Sequence, residues 1–121
     1  MSVRILIADD HRLFAEALRA ILSSDRRLDV IGLAASGDEA VQKARELAPD
    51  VILMDISMPG LDGFEATRQI LAEHPNRQVL IVTGSDARQD VDAARTAGAA
   101  GYVTKDRIAA ELIGAILDVA A

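Results

Sequence analysis

Short, uninterrupted apolar runs alternate along this chain with longer stretches of helical periodicity. Ile5-Leu6-Ile7, Val51-Ile52-Leu53-Met54 and Val79-Leu80-Ile81-Val82 contain no polar residue. A strand reads this way when helices cover both faces of a parallel sheet. These runs predict strands over residues 3–9, 50–55 and 78–83, and β-rich segments predict two more over 28–34 and 101–104.

Helices are signalled between them. Leu13, Phe14, Ala17, Leu18, Ile21 and Leu22 recur at helical spacing. Ser36 with Glu39, and Asp62 with Glu65, have the spacing of a capping box, and Pro49 and Pro75 lie beyond the helices so opened. Asp86 and Gln89 predict the start of a fourth helix, which Gly98 ends at the C′ position. Its inward face, Ala87, Val91 and Ala94, offers little apolar area, which puts the helix at the low-stability end of the domain. Asp106 predicts the cap of a fifth helix. That helix carries Ile108, Leu112, Ile116 and Val119 on one face, with Ile113 and Leu117 on an apolar flank beside it.

Five βα units in succession imply a parallel sheet with right-handed crossovers and helices on both faces. A barrel needs eight such units, so the expected architecture is a doubly wound, open α/β sheet. In such sheets ligands bind outside the carboxyl ends of the strands. No internal repeat, low-complexity tract or linker interrupts the chain, and residues 1–121 read as one domain.

The polar residues that matter fall at those carboxyl ends. The first strand runs into Asp9-Asp10, the third ends at Asp55, the fourth at Thr83, and the fifth leads to Lys105. One Asp would suffice to cap the first helix, so the adjacent pair points to more than a cap. Asp55 follows four apolar residues, where an idle buried carboxylate would be costly. Three converging carboxylates repel one another, and a divalent cation removes the conflict. Oxygen-only ligands favour Mg²⁺. His11 beside the acidic pair reads as a helix-start residue, and His74 as a surface residue at a helix end.

Composition narrows the class. Half of the 121 residues are hydrophobic and only Phe14, Phe64 and Tyr102 are aromatic, so the core is aliphatic. The absence of cysteine excludes disulfides, thiolate metal sites and a cysteine nucleophile. Net charge is −6, with no basic cluster beyond Arg26-Arg27, which argues against direct nucleic-acid binding. No signal peptide or membrane span is legible, so a soluble cytoplasmic protein is expected.

Asp9-Asp10, Asp55 with Met58-Pro59-Gly60, Thr83, and Lys105 after Gly101-Tyr102 together resemble the receiver domain of bacterial two-component response regulators, over the whole chain. The Asp9-Asp10-His11 start with Leu13-Phe14, and the Ala97 to Tyr102 segment with Lys105-Asp106, are similar to the NarL/LuxR-type subgroup. The resemblance implies a flavodoxin-like five-stranded sheet of order 2-1-3-4-5, an order that general principles already associate with this fold. It implies Asp55 as phosphoacceptor from a sensor histidine kinase or a small acyl phosphate. It implies Mg²⁺ held by Asp10, Asp55 and the Ser57 backbone carbonyl, with Asp9 acting through a water. Lys105 and Thr83 would engage the phosphoryl oxygens, and Tyr102 would rotate with Thr83 as a switch. The domain would assist its own phosphorylation and dephosphorylation without being an enzyme for external substrates. A homodimer through the fourth helix, fifth strand and fifth helix is expected on phosphorylation. DNA contact would belong to a C-terminal helix-turn-helix domain absent from residues 1–121. The chain departs from the usual pattern at Asp106, where many receivers have proline, and at Gly84, where alanine or serine is usual.

Rival readings are a magnesium phosphohydrolase of the haloacid-dehalogenase type, a flavin-binding domain and a degenerate receiver. The first places its acids in an Asp-x-Asp pattern, the second needs a hydroxyl-rich loop after the first strand, and the third would have lost the acid pocket. Residues 9–10 and 55 match none of the three.

Overall fold

The computed structural model describes residues 2–121. Its strands are β1 (Val3–Ala8), β2 (Leu28–Ala34), β3 (Val51–Met54), β4 (Gln78–Thr83) and β5 (Gly101–Thr104). Its helices are α1 (Arg12–Ser23), α2 (Gly37–Leu47), α3 (Gly63–Glu73), α4 (Arg88–Ala97) and α5 (Ile113–Ala120). All strand pairs are parallel and the order is β2-β1-β3-β4-β5, as expected.

Strand alternation divides the core in two. Leu6, Ile52, Met54 and Ile81 face α2 and α3, where Ala40, Ala44, Ala66 and Ile70 meet them. Ile5, Ile7, Leu53 and Leu80 face α1, α5 and the turn that leads into α5, where Leu18, Leu22, Ile116 and Leu112 meet them. Each fully buried side chain of this size stabilises by about 1.5–3 kcal/mol relative to exposure. α4 buries only Ala94 and Ala97, the thin anchoring its sequence predicts.

Two helix starts match expectation. Glu39 N–H donates to Ser36 Oγ at 3.1 Å, and Glu39 Oε1 accepts from Ala35 N–H at 2.8 Å. Glu65 N–H donates to Asp62 Oδ1 at 2.9 Å. Gly98 takes φ 101° at the α4 C-cap, a left-handed conformation that disfavours a side chain.

Other details correct the sequence reading. In α1 the buried line is Ala15, Leu18 and Leu22, while Leu13 is 88% exposed and Ile21 52%. Both lines have helical spacing, and periodicity alone does not say which faces inward. Ala87, expected on the inner face of α4, is its exposed N-cap residue. Asp86 does not cap α4; Ser85 Oγ reaches the first turn instead, accepting from Ala87 N–H at 3.2 Å and bonding Asp90 Oδ2 at 2.5 Å. Asp106 caps nothing: it lies inside a 3-10 turn (Lys105–Arg107) that passes through a π-helical turn (Ile108–Leu112) into α5. The change of winding lets Lys105 reach the strand-end pocket while Leu112 and Ile116 stay buried. Ile113 and Leu117 pack against the α1/α5 core cluster rather than forming a free flank. His74 is half-buried at the α3 C-cap, with Nε2 buried and unpartnered.

Candidate functional site

The strand ladder continues one residue past β1 and β3. Asp9 N–H donates to Ala34 O, and Asp55 N–H to Ala8 O, both at 2.9 Å. The backbone therefore fixes both carboxylates side by side at the sheet edge. Gly63, the first residue of α3, lies against Asp55: a Cβ there would sit 2.1 Å from the Asp55 carbonyl oxygen. Only glycine permits that approach, and it seats α3 directly behind Asp55.

Asp9, Asp55 and Thr83 are each at least 96% buried, whereas Asp10 is exposed at the mouth. One donor atom from each of Asp9, Asp10, His11 and Asp55 lies within 4.8 Å of the others. Lys105 Nζ donates to Asp9 Oδ2 at 2.8 Å and stands 3.8 Å from Asp55 Oδ2. The same ammonium lies 4.2 Å from the centroid of the Phe14 ring, a cation–π contact. Asp55 Oδ1 accepts from Ile56 N–H at 2.9 Å.

Burial pushes the Asp55 carboxyl above its ordinary range, and the Asp9 charge adds to the effect. Lys105, the Thr83 hydroxyl and the Ile56 N–H act in the opposite direction. The carboxylate is therefore held at a cost that a cation would relieve. The donor set fits a hard divalent ion: three carboxylates converge, two of them buried.

Asp9, Asp10, Asp55, Thr83 and Lys105 thus meet at one edge. Ser57 lies exposed in the turn after β3. Tyr102 stands apart from the pocket, its hydroxyl donating to the Ser85 carbonyl at 2.7 Å. Burial raises its phenol above the ordinary range, the Ser85 bond opposes this, and the Asp90, Asp86 and Asp55 charges add to it. Neither Asp9 nor Asp10 caps α1, whose N-cap is His11. Sequence reasoning missed Phe14 as a support for Lys105, because Phe14 reads as one more position in an apolar helix stripe. It also missed Ser85 and Asp90, which carry no distinctive spacing.

The family model described as response regulator receiver domain matches residues 5–117. Response regulator GacA of Pseudomonas viridiflava is 45% identical over 114 residues, which cover 94% of this chain and 53% of GacA. Transcriptional regulatory protein LiaR of Bacillus subtilis is 41% identical over 114 residues, covering 94% of this chain and 54% of LiaR. The signal receiver domain of the response regulator NarL from Mycobacterium tuberculosis superposes with a TM-score of 0.93 at 34% identity, covering 98% of this chain and 96% of that one. A LuxR-family two-component response regulator from Aurantimonas sp. gives 0.94 at 36% identity, covering 99% and 86%. The chain spans about half the length of the curated relatives it matches.

Proposed function

Because this chain belongs to the response regulator receiver family, we propose that it is a phosphorylation-switched signalling domain in which Asp55 accepts a phosphoryl group from a sensor histidine kinase. The observation that carries the reading is the convergence of Asp9, Asp10, Asp55, Thr83 and Lys105 at one sheet edge. Asp55 Oδ1 is held by Ile56 N–H, which leaves Oδ2 as the attacking oxygen. A new P–O bond forms at Oδ2 as the P–N bond of a phosphohistidine breaks, and the imidazole leaves with the electron pair. Asp10 and Asp55, with the Ser57 carbonyl, would hold Mg²⁺, Asp9 acting through a water. When bound, the ion offsets charge on the transferring group.

Phosphorylation brings strong acceptor oxygens to Asp55. Lys105 exchanges its bond to Asp9 for one to the phosphoryl group. The Thr83 hydroxyl turns to another oxygen and draws the following loop inward. Ser85 and Tyr102 belong to that loop and its partner, so the movement passes to α4. α4 is cheap to reposition because its buried side chains are two alanines.

Incubation with Mg²⁺ and a small acyl phosphate, read by intact mass, is expected to add one phosphoryl group. Asp55→Asn should abolish the addition. Equal labelling of Asp55→Asn at another carboxylate would overturn the assignment, as would labelling that survives chelation.

In the longer regulator, an additional C-terminal helix-turn-helix domain would bind DNA, and the protein would work in the cytoplasm. Among the described residues no helix is long and apolar enough to cross a membrane. A second copy would dock on the α4–β5–α5 side, where Val91, Ala94, Arg95 and Tyr102 line a cleft of about 200 Å³. Sedimentation should show greater self-association after phosphorylation; monomers in both states at high concentration would remove this face as a dimer contact of the isolated domain.

A further inference from the structure

The chain has two lysines, Lys43 and Lys105, and two phenylalanines, Phe14 and Phe64. One of each meets at the pocket. Lys105 Nζ donates to Asp9 Oδ2 at 2.8 Å, stands 3.8 Å from Asp55 Oδ2 and lies 4.2 Å from the centroid of the Phe14 ring. Two carboxylates and one aromatic face therefore surround the ammonium. The Lys105 side chain is 23% exposed, so the ring stands where a free lysine would keep solvent. Partial desolvation of this kind strengthens the attraction between a cation and the negative face of a ring.

The two kinds of contact constrain Lys105 differently. Its bond to Asp9 is short and directional and fixes Nζ at one point. The attraction to a ring face holds within about 6 Å of the centroid, so it tolerates sliding. Lys105 can therefore leave Asp9 for an oxygen attached at Asp55 without leaving the ring. A lysine stem is long and flexible, and the ring limits that freedom both before and after the exchange. Phe14 is itself well held: it lies in the first turn of α1, half-buried against the α1/α5 core cluster. It belongs to neither the loop after β4 nor α4, the parts proposed to move. We propose that Phe14 is a positioning residue for phosphoryl transfer, its ring face keeping the Lys105 ammonium poised between Asp9 and Asp55 for the incoming phosphoryl oxygens. This rests on the reading of Asp55 as phosphoacceptor and of Lys105 as the group that engages those oxygens. Such a transfer depends chiefly on placed charge, so a displaced ammonium slows it. If Phe14 were only an apolar packing residue, leucine would serve as well.

The test measures the rate of Asp55 labelling by acetyl phosphate with Mg²⁺ in the parent protein, Phe14→Leu and Phe14→Tyr. A fourth protein carries a trifluorinated phenylalanine at position 14, which keeps the ring's shape but drains its face of negative charge. The rate is expected to fall by about threefold to tenfold in Phe14→Leu and in the fluorinated protein, and to stay near the parent value in Phe14→Tyr. Urea unfolding checks that each variant is folded, and the fluorinated ring preserves packing should Phe14→Leu fail to fold. A spectroscopic measurement reads the contact directly. With lysine labelled at its ε carbon, the chain gives two signals, and Lys43→Arg assigns them. The Lys105 signal should be shifted upfield by the ring current in the parent protein and return to the ordinary position in Phe14→Leu, while that of Lys43 stays put. Equal labelling rates in the parent and fluorinated proteins would overturn the positioning role, as would an unshifted Lys105 signal in the parent. These outcomes leave Asp55 as the acceptor. Failure of the parent protein itself to label removes the phosphoacceptor reading and the role of Phe14 with it.

Discussion

α3 and α4 each follow a strand that ends in a pocket residue, Asp55 and Thr83 respectively, yet they are held to the domain in different ways. α3 starts with a side-chain cap from Asp62, buries Ala66, Thr67 and Ile70, and begins with a glycine pressed against Asp55. Arg45 and Glu73 also join it to α2 by an ion pair. α4 has no side-chain cap from its N-cap residue and buries two alanines. The Asp55 side of the pocket is therefore the firmly held frame, and the Thr83 side carries the more weakly anchored helix. The proposed switch needs both, because a frame that moved with the signal would lose the geometry that receives it.

The contrast can be broken at its largest point first. Ile70→Ala should destabilise the domain by about 2–5 kcal/mol, whereas Ala94→Gly in α4 should cost only about 1 kcal/mol. Urea unfolding measures both, and similar losses would mean that α4 is as firmly anchored as α3. The caps come next. Asp62→Ala should cost about 1 kcal/mol, and Asp86→Ala should stay within about 0.5 kcal/mol because Asp86 caps nothing. A larger loss for Asp86→Ala would restore it as the α4 cap.

The smallest effect is a dependence on pH. The folded-state pKa of Asp55 is raised, so its contribution is fully present below the ordinary carboxyl value of about 3.9 and is lost as pH rises through the raised value. In the presence of a chelator, Asp55→Asn should therefore be more stable than the parent at neutral pH. The advantage should shrink as the solution is acidified. A variant equal to or less stable than the parent at neutral pH would show that the frame bears no such cost.

Much of this frame was legible in the sequence because strand ends are marked by a change from apolar to polar residues. Asp9, Asp55, Thr83 and Lys105 each stand at such a change, and topology brings them to one edge. The Ser36 and Asp62 caps were legible for a similar reason, since their partners lie a fixed three residues on. What was hidden depends on packing between elements distant in sequence. Leu13 and Leu18 both lie on apolar lines of α1, and only contact with the sheet selects Leu18. Lys105 rests on Phe14 across a long stretch of chain, and no local pattern records that contact. The unwinding of residues 105–112 likewise answers to two tertiary demands, the reach of Lys105 and the burial of Leu112, rather than to local propensity.

The hydrogen bond from Tyr102 to Ser85 also has an optical consequence. The chain has one tyrosine and no tryptophan, so its emission, when excited at wavelengths longer than phenylalanine absorbs, comes from a single ring. That ring is tied to the backbone two residues beyond Thr83. Breaking or shortening the bond alters the phenol's surroundings, and with them the brightness and lifetime of the emission. The domain thus contains its own fluorophore at the loop proposed to move, and that proposal can be followed in real time without attaching a dye.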